Sequence, residues 1–251
     1  MNSTIKQIQQ HTSIRKYKSQ QIDEAIVQSI IRTTQQSPSW INGQQMSIIR
    51  VTDLEKRQKM QELAGNQEYV ESASEFWVFC LDFYRVAKAC EMEGKNFAVA
   101  DNIDLILVGT TDVGIALGTA IVAAESYGLG TVAIGGVRRN PQAVIDLLGL
   151  PEYVYPISGL CIGYPAEQPA LKPRLPQQAV VFENVYNRNI EPLLEQYNEQ
   201  FTHYVNERTN GQSSANWTNG IVSFYSEPFY RGNSYEDALP VLQSQGFLKK
   251  K

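Results

Sequence analysis

The chain has 251 residues, 43% hydrophobic and 19% charged, with a formal net charge of -4. That size suits one large domain with a full core, and the acidic balance argues against general nucleic-acid affinity. No apolar run reads as long enough to span a bilayer, and the first residues lack the apolar stretch of a signal peptide, so the expected setting is the cytoplasm, with no membrane partner.

The run His11-Thr12-Ser13-Ile14-Arg15-Lys16-Tyr17 gathers an imidazole, two hydroxyls, two cations and a phenol. These groups can hold a phosphate through neutral and charge-assisted hydrogen bonds. The same run also suits a solvated basic surface. Asp23–Gln36 reads as a helix from its spaced apolar residues. Ser37–Gln45 carries Pro38, Asn42 and Gly43 and reads as a loop, followed by a strand over Met46–Val51. Asp53 caps a helix expected to run to about Ala64, which Gly65-Asn66-Gln67 breaks. Gln67 and Tyr69 then become polar candidates for a ligand's edge.

Phe76–Phe83 reads as a buried strand, and residues 85–97 as a helix or irregular crossover. Residues 104–127 form the longest apolar segment. Its small residues, Gly109, Gly114, Ala116, Gly118 and Ala120, suit close packing against a helix or cofactor. A short strand, Thr131–Ile134, leads into Gly135-Gly136, where backbone can approach a ligand closely. The glycine spacing does not match a dinucleotide fingerprint. A helix starts at Asn140-Pro141, and a strand covers Ile157–Ile162. The proline-rich stretch to Pro176 carries Lys172-Pro173-Arg174, either a presented cation pair or an exposed linker. Helical patterns occupy the chain from Asn187, over Trp217–Tyr225 and over Tyr235–Gln245.

Cys80, Cys90 and Cys161 form no CxxC, and only two histidines are present, so no metal site is expected. Cys80 and Cys161 read as reduced core residues. No Ser-His-Asp, Cys-His or paired-carboxylate arrangement stands out.

Seven motifs occur in a recognisable order. They are HTSIR at 11–15, SPSWINGQQ at 37–45, LAGNQEY at 63–69, EFWVFCLD at 75–82, AAESYGLG at 123–130, AIGGVR at 133–138 and LKPRLP at 171–176. With these the chain resembles the nitroreductase-like flavoproteins, specifically the NADPH-dependent group A nitroreductases and bacterial flavin reductases. The resemblance implies an α+β fold with a central mixed sheet flanked by helices. It implies an intertwined homodimer built on a long central helix, and bound FMN served by NADPH or NADH. Residues 1–251 would form one FMN-binding domain with a C-terminal helical excursion from about 187.

By the same resemblance His11, Ser13, Lys172 and Arg174 hold the FMN phosphate, with Thr12 beside them. Arg15 lies near the flavin N1/O2 side, and Gln67 and Tyr69 border the pyrimidine ring. Ser39, Asn42 and Gln44 come from the partner subunit, and Ile134, Gly135 and Gly136 pass close to N5. The implied activity is ping-pong reduction of nitroaromatics, quinones or flavins. Alternatives are a flavin reductase serving a partner protein and a flavin-binding sensor or storage protein. Three departures stand out: Trp40 where relatives carry serine, Thr12 where arginine is frequent, and Ser213–Asn216 where arginines often meet the NADPH 2′-phosphate.

Overall fold

A computed structural model describes residues 2–230, 235 and 237–249. The chain runs α1 (Ser3–Gln9), α2 (Glu24–Gln35), β1 (Met46–Arg50), α3 (Leu54–Leu63), α4 (Tyr69–Ser72), β2 (Glu75–Asp82), α5 (Tyr84–Met92) and α6 (Asp104–Ser126). It continues through β3 (Gly130–Ile134), α7 (Pro141–Leu148), β4 (Val154–Gly163), α8 (Glu191–Arg208), α9 (Trp217–Phe224), α10 (Glu227–Phe229) and α11 (Ala238–Ser244). Chain contacts define two compact units, Met1–Pro169 with Tyr235–Lys251, and Ala170–Ser234.

In the first unit the strands order as β1-β2-β4-β3. All three pairings are antiparallel. The mixed sheet expected from sequence is therefore antiparallel across its four strands, because β4 lies between β2 and β3 and runs against both. Among the described residues the parallel component is a single bridge, Ser13 to Thr131. The fold class is α+β. Phe76 through Leu81 are fully buried, which explains why this stretch reads as continuously apolar rather than alternating. Gly159 lets β4 pass the Phe76 ring, since a Cβ there would sit 2.8 Å from it.

Local signals set the helix ends. The Asp23, Asp53 and Asn140 side chains cap α2, α3 and α7, and Gly149 ends α7 in the left-handed region. Sequence reasoning missed α1, which buries no residue and so has no apolar period to detect. The crossover after β2 is the helix α5. The segment expected over 235–245 is helical at Ala238–Ser244; residue 236 is outside the described set.

The expectation about bilayer-length runs needs correction. α6 has 23 residues and is long and apolar enough, by length and composition, to cross a membrane. Here it packs against α2 and the sheet, burying Gly109, Val113, Ala116, Ala120 and Ala124. A Cβ at Gly109 would meet Leu81 and Phe83 at 3.0 Å, so that glycine allows close approach to β2. Gly114 and Gly118 face open space instead.

Cys80 and Cys161 are buried, and burial pushes both thiols far above the ordinary range; Cys90 is half-buried. A disulfide-exchange reagent at pH 8 is therefore expected to label Cys90 in the native protein and all three cysteines in denaturant. Native labelling of more than one thiol per chain contradicts this packing.

Candidate functional site

The N-terminal segment after α1 lies along the open edge of β3. Ile14 N–H donates to Thr131 O at 2.9 Å, and Tyr17 bridges to Pro165. The Tyr17 hydroxyl donates to Ile14 O at 2.8 Å, and burial raises its phenol well above the usual range. Gly130 admits the strap: a Cβ there would lie 2.6 Å from the Ile14 side chain. Ser13 is thus held opposite Thr131, with His11 and Thr12 just before it.

Two carboxylates absent from the sequence-predicted set organise this strap. Glu125 Oε1, at the end of α6, lies 2.5 Å from His11 Nδ1 and accepts the Thr131 hydroxyl at 2.9 Å. Glu167 Oε1 accepts the backbone N–H groups of Arg15 at 2.6 Å and Lys16 at 3.1 Å. Arg15 itself is exposed, its guanidinium 3.5 Å from Ser13 O. The signal for Glu125 was available, as the one carboxylate in the last turn of an apolar helix. Glu167 has no local signal.

At the other end of β3, Ile134 is buried and Gly135-Gly136 come next. A Cβ on Gly136 would fall 2.2 Å from Ala64 O and 2.9 Å from Gln67 Nε2. Gln67 Nε2 donates to that same Ala64 carbonyl at 2.7 Å, and the Tyr69 hydroxyl donates to Gln67 Oε1 at 2.5 Å. The structure therefore brings Gln67, Tyr69 and Gly136 together, while a Cβ on Gly135 would meet only the Arg138 guanidinium, at 3.8 Å. Gly65 and Asn66 turn the chain here with φ of 93° and 56°.

Below α4 sits a buried guanidinium, Arg57. It donates to the carbonyls of Val70 and Ser74 at 3.1 and 3.3 Å, and to that of Ala73. Burial lowers its pKa, yet the charge is met by these carbonyls, so Arg57 fixes the short helix that carries Tyr69.

Ser39, Asn42 and Gln44 lie in the Ser37–Gln45 loop, beside a cavity of about 550 Å³ that Ser39 and Gln44 line. The Ser39 hydroxyl accepts Gln44 N–H at 3.1 Å. Trp40 and Ile41 are largely exposed.

Lys172 and Arg174 belong to the second unit. Arg174 Nη1 donates to Lys172 O at 2.8 Å, and the Tyr197 hydroxyl of α8 donates to Pro173 O at 2.9 Å. Tyr197 packs edge-on to Trp217, ring centres 5.6 Å apart. The proline segment is thus pinned to α8, and Lys172 and Arg174 are both exposed. The Ser213–Asn216 stretch holds no cation, and Arg208 stacks on Tyr204 at 5.5 Å.

The donor chemistry of the first unit fits FMN. Hydroxyls and an imidazole stand at one end of β3. An amide–phenol pair and an open glycine stand at the other, roughly 13 Å away at strand spacing. That separation suits an anionic phosphate and a polar ring edge joined by a polyol chain.

Residues 8–164 match the nitroreductase family, and residues 172–250 match the nitroreductase family C-terminal domain. The chain belongs to the nitroreductase family. Family resemblance extends along the whole molecule. It is 44% identical to an FMN reductase [NAD(P)H] of Bacillus subtilis, with 100% of each chain covered. It is 39% identical to an NADPH-flavin oxidoreductase of Vibrio harveyi, again with 100% of each covered. Among solved structures, NfrA2 of B. megaterium superposes with a TM-score of 0.95 at 44% identity, covering 100% of both chains.

The close approach at Gly136 can be tested directly. Gly136→Ala must displace the Ala64 carbonyl, which is backbone and cannot swing aside. The expected cost is about 1–3 kcal/mol in urea denaturation. An unchanged midpoint and slope contradict the packing described.

Proposed function

We propose that this nitroreductase-family chain is an FMN-dependent NAD(P)H oxidoreductase whose acceptors are free flavins, quinones and nitroaromatics. The observation that carries the reading is the layout along β3. The His11–Arg15 strap lies at its start, and Gly135-Gly136 with Gln67 and Tyr69 lies at its end. The names of the relatives, an FMN reductase and an NADPH-flavin oxidoreductase, support the same chemistry.

When bound, FMN supplies the relay that passes a hydride from a nicotinamide to an acceptor. The remaining work falls to the protein. In the first unit His11, Thr12 and Ser13 would orient the phosphate through hydrogen bonds; Lys172 and Arg174 are cations that the family resemblance alone assigns to the same group. Gln67 and Tyr69 would hydrogen-bond the polar ring edge, and Gly135 would let backbone approach the ring, while the missing Cβ of Gly136 makes room for Ala64 and Gln67. Arg15 would place a cation where negative charge grows on reduction, which would favour the reduced form. No side-chain nucleophile is required, consistent with the absence of such a cluster from the sequence.

The protein works as a homodimer through α6, whose uncovered face presents Leu107, Gly114, Ile115 and Gly118. In that dimer Ser39, Asn42 and Gln44 reach the partner's flavin, and residues 1–251 act as one functional domain. A cytoplasmic setting fits three unpaired cysteines and a soluble nicotinamide donor.

Purified protein is expected to carry flavin absorbance or to take up added FMN; failure of both sinks the reading. Arg15→Ala should slow flavin reduction more than tenfold while changing FMN affinity little, and Lys172→Ala should do the reverse, each on the scale of about one charge-assisted hydrogen bond. Stopped-flow reduction and flavin-release titrations separate the two. Because the 213–216 stretch lacks cations, kcat/KM for NADPH should exceed that for NADH by less than about tenfold, the worth of one phosphate-directed cation. A hundredfold preference in a donor-by-acceptor matrix contradicts that.

A further inference from the structure

The Ser37–Gln45 loop contains backbone that ordinary residues avoid. Ile41, Asn42 and Gln44 have φ of 48°, 56° and 51°. Non-glycine residues disfavour this region, and β-branched Ile41 does so most. The shape therefore persists only while neighbouring groups hold it. At the loop's exit, Arg85 of α5 donates from Nη2 to Gln44 O and Met46 O, each at 2.6 Å. At its entry, Ser37 Oγ and Thr119 Oγ1 of α6 lie 3.0 Å apart, and Asp112 Oδ1 accepts the Trp40 N–H at 3.1 Å.

Asp112 is the unexpected member of this set. It sits inside the apolar helix α6 and is only 5% exposed. Its second oxygen, Oδ2, is buried with no hydrogen-bond partner among the described residues. Burying a carboxyl group so poorly satisfied is unfavourable, and an apolar residue of similar size would serve packing better. The backbone group that Asp112 grips is the first N–H of the strained turn Trp40–Asn42.

We infer that Asp112 is a positioning residue, holding the 37–45 loop in the shape that contacts the flavin. The inference rests on the FMN reading above and adds a residue that lies outside the flavin-contacting set. Asp112 acts through Trp40 N–H on the placement of Ser39, Asn42 and Gln44. The acceptor oxygen matters, and the charge does not.

The test uses full-length protein stripped of flavin and titrated with FMN, with flavin fluorescence and the visible spectrum as binding readouts. The melting temperature of the flavin-free protein reads stability separately. Asp112→Asn keeps an acceptor for Trp40 N–H and should bind FMN within about threefold of wild type. Asp112→Leu removes acceptor and buried charge together. It should bind FMN about tenfold or more weakly, with a shifted flavin spectrum, while the flavin-free melting temperature holds or rises. Trp40→Pro removes the same N–H from the loop side and should weaken FMN as Asp112→Leu does; Trp40→Ala keeps it and should stay within about threefold.

Wild-type affinity in Asp112→Leu overturns the inference, as does Asp112→Asn weakening FMN as much as Asp112→Leu. A matching fall in flavin-free melting temperature reduces Asp112 to a structural residue and also overturns it. If Asp112→Leu yields no folded protein, the Trp40 pair decides, and equal affinities overturn the idea. Wild-type protein that does not bind FMN defeats the flavin reading itself, and this inference with it. That result is read before any variant is compared.

Discussion

Everything at the candidate site depends on how the N-terminal strap is fastened to the free edge of β3. An edge strand exposes unpaired backbone groups, and here the strap supplies partners through Ser13 and Ile14. One carboxylate oxygen on Glu125 then joins His11, Thr131 and the end of α6. Fixing β3 in this way also fixes Gly135-Gly136, which continue directly from the strand. Both polar clusters, at the two ends of β3, are thus referenced to one short element.

Much of this was legible in sequence. The order of helices and strands could be read from apolar spacing and from caps such as Asp23, Asp53 and Asn140. Gly65-Asn66 announced the turn that sets Gln67 beside Gly136. What escaped sequence reasoning depends on long-range partners. Glu167 and Asp112 look like any surface or helical acid until the fold shows which backbone N–H groups they meet. The left-handed Ile41 runs against its own local preference, a conflict that only a tertiary hold can sustain. The direction of strand pairing was likewise a property of the assembled sheet, and no single strand's pattern encodes it.

α6 illustrates how composition misleads in two directions. Its residues could suit a lipid environment, yet its buried face is fitted to the sheet at Gly109, Ala116 and Ala120, and it carries a buried carboxylate. Gly114 and Gly118 lie on its exposed side with open space beside them. One helix therefore both supports the core and anchors a loop.

The strap's fastenings also bear on how the protein comes into being. His11 meets Glu125 across 114 positions of sequence, and Arg15 meets Glu167 across 152. Contacts of such separation close late, after the loop-closure entropy between them has been overcome. On the ribosome, the strap has no docking partner until β3 and the residues around 167 have emerged. The sheet's interior strand β2 is made long before. The strap is thus made first and fastened last, since Glu125, Thr131 and Glu167 all follow it by more than a hundred residues.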